Sequence, residues 1–241
     1  MFNSRVPGEV KTVMMKKIRA VLSIIFIAFV LFCGFEIKKG YDLYKLATGE
    51  KPIETAVNEL MSKEHYTSYE NIPKVYFDAV VAVEDRRFYK HRGFDYIGTA
   101  RAIYNDICAI EVLEGGSTIS QQLAKNLYYP MNNTISRKIA EIFTAVEIER
   151  KYDKNSVLEF YVNGIYYGSG YYCIYDASMG YFGKAPNQMD FFECTLLAGI
   201  PNAPSVYSLD VNPDLAKKRA EKVITSMKEC GYINENGELS E

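Results

Sequence analysis

A mainly α-helical chain with one membrane-spanning helix at its N-terminus is what this sequence predicts. Three observations carry that expectation. Apolar residues run unbroken from Ala20 to Phe35, apart from Ser23, Cys33 and Gly34. Further along, apolar residues recur at three- and four-residue spacing in segments that open on capping residues and close on glycine. Period-two alternation, the mark of strands, is scarce. The 241 residues suffice for one large or two small domains with a sizeable core. The net charge of -2 supplies no basic field for nucleic acid. Five cysteines without CxxC spacing and two distant histidines, His65 and His91, indicate neither a disulfide framework nor a structural metal. Tyrosine is frequent at 20 residues, with 13 phenylalanines and no tryptophan, which suits a surface that is part apolar and part wet, such as a sugar cleft or a membrane interface.

In chain order, residues 1–17 are a polar, basic tail, and residues 18–37 are the anchor. The Ala20–Phe35 run spans about 24 Å, and Ile18 and Ile37 extend it toward the ~30 Å of a hydrocarbon core, with Arg19 and Lys38 able to snorkel. No small-x-small cleavage site follows it, so it reads as an uncleaved anchor rather than a signal peptide. The modest excess of basic residues before it places the N-terminus in the cytoplasm and the rest of the chain outside. Residues 38–70 read as a stalk, with a short helix around Thr55–Lys63. A compact domain is expected over 71–233, followed by a tail at 234–241.

Within that domain, Pro73 opens a buried helix that ends near Glu84. There the apolar segment Ala79–Val83 meets Glu84-Asp85-Arg86-Arg87, with Lys90 and Arg92 beyond. A carboxylate at the end of a buried helix is half-desolvated, which raises its pKa toward a value useful for proton transfer, while the cations oppose that rise. Asp95 can cap a helix carrying Ile97, Ala100, Ile103, Tyr104 and Ile107, either a core helix or one that dips into the bilayer. In Glu114-Gly115-Gly116-Ser117-Thr118-Ile119-Ser120-Gln121, the glycines break the preceding element and Thr118-x-x-Gln121 forms a capping box. The same turn leaves backbone N–H groups facing outward as an anion or sugar-oxygen site, with Gln121 and Lys125 on one helical face.

Ser136–Lys151 is helical by its spacing of Ile135, Ile139, Ile142 and Val146, with Arg137 and Glu141 four residues apart on another face. Asp153 or Ser156 caps the next helix, which closes at Asn163-Gly164. The Tyr- and Gly-rich stretch 165–184 has too many glycines for a long regular element. Asn187 is expected to cap a helix through Leu197, and Asn212-Pro213 to open one that runs to Cys230 and stops at Gly231.

Five of these stretches, in order, resemble the peptidoglycan glycosyltransferases, the transglycosylase module of class A penicillin-binding proteins and its monofunctional relatives. They are EDRRFYKHRGFD at 84–95, GGSTISQQLAKN at 115–126, RKIAE at 137–141, KNSVLEFYVNGIYYGSG at 154–170, and AGIPNAPSVYS with KKRAEKVITSM at 198–208 and 217–227. The resemblance implies a lysozyme-like, two-lobed helical domain whose cleft polymerises lipid II into β-1,4-linked strands with inversion and release of undecaprenyl pyrophosphate. Carried over by position, Glu84 is the general base and Glu141 the second carboxylate. Ser117, Gln121, Gln122, Lys125, Arg137 and Lys138 fall at positions that line the donor site. The same motifs place Asp85, Arg86, Phe88, His91, Gly116 and Thr118 in the substrate-binding set, along with Asn126, Glu159, Asn163, Tyr167, Gly168 and Arg219.

The resemblance requires no cofactor, though Mg or Mn can assist the leaving group. It implies lipid II, membrane lipid and a penicillin-binding transpeptidase as partners. With no transpeptidase segment after the motifs, the chain reads as the monofunctional form. It departs from the pattern at Ser120, where Thr is usual, and at Ala220, where a second arginine usually follows Arg219. A catalytically silent scaffold is the alternative function, but both glutamates are kept. A hydrolase of finished glycan would not need the cations that surround them.

Overall fold

The computed structural model describes residues 7–109, 116–130, 134–234 and 237–239. Eleven α-helices make up the described architecture, and only two isolated bridges, Arg92 with Phe94 and Ile233 with Leu239, stand in for any sheet. Helix α1 runs from Pro7 to Glu50 without a break. From Val21 to Phe32 its side chains stand in the open, Leu31 at 69 % and Ile24 at 67 % exposed. Its Met14–Glu50 portion is long and apolar enough to cross a membrane, and none of its most apolar window is buried by the protein.

The expectation of a stalk over residues 38–70 is corrected by the structure. Helix α1 continues past Lys38 and Lys39 and packs Tyr41 and Tyr44 on Phe143. Helix α2 (Ile53–Met61) buries Ile53, Val57 and Leu60, whose spacing of four and three residues makes one apolar stripe. The charges that ended the apolar run do not end the helix, because Ala, Leu, Lys and Glu all favour helical backbone in or out of lipid.

The middle of the molecule is α3 (Lys74–Glu84), buried continuously from Tyr76 to Ala82. A helix apolar on every side has to be surrounded. Here α9 (Phe191–Gly199) and α11 (Pro213–Glu229) pack directly against it, and α5 (Ile119–Tyr128) and α7 (Lys154–Gly164) contribute Leu123, Leu158 and Tyr161 to the same core. Helices α4 (Tyr96–Ala109), α6 (Ile135–Lys151), α8 (Ile174–Phe182) and the short α10 (Pro204–Tyr207) complete the set.

Most helix starts follow the sequence signals. Asp95 accepts the Ile97 N–H at 3.1 Å ahead of α4. Thr118 and Gln121 form the full capping box of α5, and Asp153, rather than Ser156, caps α7 by accepting the Ser156 N–H at 2.8 Å. One expectation changes. Asp190, boxed with Glu193, caps α9 in place of Asn187, which lies in a preceding single turn. The Tyr- and Gly-rich stretch includes the nine-residue α8, stopped by Gly183 in the left-handed conformation. Residues 110–115, with Glu114 and Gly115 at the head of the glycine loop, lie outside the described residues, as do the side chains of Ile103 and Ile107.

Gly93 shows why a residue without a Cβ is required near the end of the first motif. Its φ is +85°, and a Cβ there would meet the Val146 backbone N at 2.6 Å. Gly93→Ala should therefore lower thermal stability by more than about 1 kcal/mol, from strain and backbone collision together. A melting temperature equal to that of the parent chain would contradict this close approach.

Candidate active site

Helix α3 places Glu84 on its last turn, and Asp85 takes the C-cap, its N–H bonded to the Val81 carbonyl. The Glu84 side chain is 9 % exposed. Gln122, projecting from α5, donates from Nε2 to Glu84 Oε2 at 2.8 Å. The Tyr161 hydroxyl donates to Gln122 Oε1 at 3.2 Å, which turns the amide so that its NH2 faces the acid. The other carboxylate oxygen, Oε1, has no hydrogen-bond partner and lies 3.9 Å from the Arg219 guanidinium. Burial pushes the Glu84 carboxyl up from its ordinary pKa. The Gln122 bond and the Arg219 charge pull it back, and the Asp85 charge adds to the rise. The outcome is a carboxyl of raised basicity, anchored through one oxygen, with the other buried and unpartnered among the described residues.

Asp85 has a different task. Its carboxylate accepts from His91 Nε2 at 2.9 Å and from the Ile119 backbone N–H at 3.2 Å, so it ties the first motif to the start of α5. Behind it, His91 Nδ1 lies 3.9 Å from Glu149, a buried acid paired with Lys154 at 2.6 Å and bonded by the Ser120 hydroxyl. Lys154 also stands 4.1 Å from the centre of the fully buried Phe88 ring. His91 and Phe88, expected among the substrate contacts, are packed beneath the cleft floor instead.

The cleft itself encloses about 360 Å³ between the end of α3, the first half of α4, the Gly116–Thr118 turn and one face of α11. Two of its arginines are tied down. Arg86 reaches Glu229 at 2.6 Å and Ser226 at 3.3 Å, and Arg87 donates to Asp95 at 2.9 Å. Arg101 and Lys222, both exposed, line the same space and pair with no acid among the described residues. Arg219 passes against Gly199, where a Cβ would come within 2.9 Å of its Cγ, and lies 5.9 Å from the Tyr207 ring.

The cation expected beside Arg219 is not missing from the cleft. Ala220 is fully buried against Leu196 and Ala216, so that position faces away from it. Lys222, one turn beyond Arg219, supplies a second positive charge on the cleft face.

Ser117 and Thr118 form the opposite wall with Gly116. Thr118 is held by its hydroxyl bond to the Gly93 carbonyl at 2.7 Å, and Gln121 is spent on the capping box. Lys138 donates to Ser117 Oγ at 2.6 Å and pairs with Glu141 at 2.9 Å. Arg137 approaches the other Glu141 oxygen at 3.1 Å. Glu141, 1 % exposed at its side chain, lies outside the cleft lining, as do both cations, and is joined to the cleft wall through Lys138 and Ser117.

Lys125 and Asn126 are exposed on α5, outside the cleft lining. The remaining expected residues stay inside the fold. Glu159 receives the Tyr66 hydroxyl and the Tyr69 N–H, and Asn163 bonds the Thr67 backbone on both sides. Tyr167, fully buried, shares a 2.7 Å bond with Tyr76, and Gly168 lets the Pro204 carbonyl approach at φ +84°. Reasoning from sequence missed Arg101, Lys222, Tyr161, Glu149 and Lys154. Only Lys222 had a usable signal, its three-residue spacing from Arg219.

Residues 50–228 match the transglycosylase family. The chain belongs to that family. This transglycosylase is 37 % identical to the monofunctional glycosyltransferase of Staphylococcus haemolyticus over 92 % of its own length and 82 % of that protein. It is 45 % identical to the monofunctional glycosyltransferase of Staphylococcus saprophyticus over 65 % of its length and 60 % of the relative. Penicillin-binding protein 1F of Bacillus subtilis is 44 % identical over 69 % of the chain, which spans only 23 % of that longer protein. The transglycosylase is thus a peptidoglycan glycosyltransferase, an enzyme of cell-wall synthesis. The match begins at residue 50, which agrees with α2 being part of the folded unit.

Arg219→Met should move the acidic limb of the transglycosylase's pH–rate profile to higher pH. Loss of the cation removes a term that favours the ionised Glu84, so its pKa climbs further and the basic form appears only at higher pH. An acidic limb that stays in place would show that Glu84 does not govern it.

Proposed function

We propose that this cleft polymerises lipid II into β-1,4-linked glycan with inversion, releasing undecaprenyl pyrophosphate. The observation that carries the reading is Glu84: a desolvated carboxyl held by Gln122, with Oε1 unpartnered beside Arg219. In the proposed step the 4-hydroxyl of the acceptor sugar gives its proton to Glu84 as its oxygen attacks the donor's anomeric carbon. The bond from that carbon to the diphosphate oxygen breaks on the opposite face, which inverts the centre. The raised basicity of Glu84 suits a group that takes up a proton in the reaction.

Charge then gathers on the leaving diphosphate, where cations in a partly dry cleft act most strongly. Lys138 and Arg137, steadied by Glu141, serve the donor side together with Ser117, and Arg219 and Lys222 serve the α11 side. A divalent ion does not fit as a protein-held group among these residues. Asp85, Asp95 and Glu229 are each committed to a cation or a backbone N–H. The exposed apolar helix α1 supports single-pass anchoring with the N-terminus in the cytoplasm, and a transpeptidase working on the nascent strand is the expected protein partner.

Glu84→Gln should cut polymerisation of labelled lipid II by about 10²–10⁴-fold, the ordinary worth of a general base. Folding should be preserved, since Gln fills the same space and can still bond Gln122 through its carbonyl oxygen. Near-normal polymer from the variant would sink the assignment of the base. Failure of the parent enzyme to polymerise while still binding lipid II would favour the scaffold reading.

A further inference from the structure

Helices α1 and α6 run side by side in the same direction and form the most extensive helix–helix contact among the described residues. Gly40 is where their backbones come closest. A Cβ there would lie 2.6 Å from Ile139 Cβ and 2.7 Å from the Ser136 carbonyl oxygen. Beyond it, Tyr41 meets the Phe143 ring edge-on at 5.3 Å, Tyr44 stacks on the same ring at 5.8 Å, and the Tyr44 hydroxyl donates to Glu147. The pairing therefore advances in step along both helices, from Gly40 with Ser136 and Ile139 to Tyr44 with Glu147. No proline interrupts α1 after Pro7, so the membrane span and this contact belong to one rod.

The geometry fixes a height. The apolar span ends at Ile37, and three residues of helix at ~1.5 Å each put Gly40 about 4.5 Å beyond the hydrocarbon edge. Headgroups extend roughly 5–7 Å beyond each side of the hydrocarbon core. Ser136 lies opposite Gly40, so Arg137 and Lys138 fall within the layer that holds lipid phosphates. Ile135, the residue before them, is 57 % exposed, as expected of a side chain turned toward the membrane surface.

We propose that the Gly40 contact is a height gauge. It sets Arg137 and Lys138, and through Lys138 the Ser117 wall, at the phosphate plane. The diphosphate of a lipid-linked substrate is then met while its tail remains in the bilayer. Gly40, Tyr44 and Phe143 are positioning residues in this scheme. It rests on the reading that the substrate is a lipid diphosphate.

The test is the full-length chain with seven polar, helix-forming residues inserted between Lys38 and Lys39. Seven residues are nearly two turns, so the domain rises ~10.5 Å with a rotation of only ~20° and the Gly40 contact is untouched. The same insert between Lys16 and Lys17, on the far side of the span, is the control. In lipid II proteoliposomes the first insertion should lose about tenfold or more, as expected of a displaced reacting group, and the control nothing. In detergent micelles, which adapt to the protein, both should stay within about twofold of the parent. Full activity of the Lys38–Lys39 insertion in proteoliposomes would overturn the gauge.

A second readout does not need turnover. The chain has no tryptophan, so Ile135→Trp gives a single reporter. Lipids brominated at the top of the acyl chain should quench it in the native register and not in the Lys38–Lys39 insertion. A reporter left unquenched in the native register would overturn the gauge even if polymer forms. Absence of polymer from the parent chain in both media would refute the lipid diphosphate reading, with the quenching still deciding the height.

Discussion

The cleft depends on one buried carboxylate that faces away from its centre. Asp85 follows Glu84 directly, and by bonding the Ile119 N–H and His91 together it locks the end of α3 to the beginning of α5. That lock is what lets Gln122, one turn into α5, reach Glu84 at 2.8 Å. Glu149 supports His91 from below and is itself paired with Lys154, as a buried ion must be. Cutting a single member would leave an uncompensated charge, so the first two motifs stand or fall as a unit.

The two family carboxylates are both buried, yet their settings push them toward opposite uses. Glu84 faces one amide and one guanidinium at a distance, and burial wins, so its carboxyl is raised. Glu141 is flanked at 3.1 and 2.9 Å by Arg137 and Lys138. A fixed anion between two cations holds them still. It also lowers the field they project into the cleft, a cost acceptable only where two cations serve for each acid.

The parts of this arrangement visible in the sequence are those with local causes. The capping boxes, the proline starts and the glycine stops follow from hydrogen-bonding needs within four residues, and α3, α5, α6, α7 and α11 were legible from them. Asn187 misled because Asp190-x-x-Glu193 offers a complete box three residues later. The stalk was misread for another reason. The stripe of Ile53, Val57 and Leu60 is short, and only the facing α7 shows that it has a core to enter. Among the site residues, motif position fixed Glu84, Ser117, Gln122 and Arg219 at or beside the cleft. It could not separate residues that face substrate from those that hold them. His91, Glu159, Asn163 and Tyr167 occur in the same motifs, and apart from Asp85, which holds His91 from within its own motif, the groups that fix them, Glu149, Tyr66, Thr67 and Tyr76, lie far away in the chain.

Helix α11 shows how that ambiguity resolves once a helix has a known neighbour. On α11 the cleft takes Arg219, while the side chain at position 220 points into the core. The core takes Ala220, next to Ala216 and Leu196, and a long cation there would have to bury its charge against apolar neighbours. Lys222 is on the face that Arg219 occupies, with Ser226 and Glu229 continuing it toward Arg86. The positive charge that a linear motif counts in adjacent letters is counted by the folded chain along a helical face. By that count the cleft has two α11 cations, Arg219 and Lys222, while Ala220 packs α11 against Leu196 of α9.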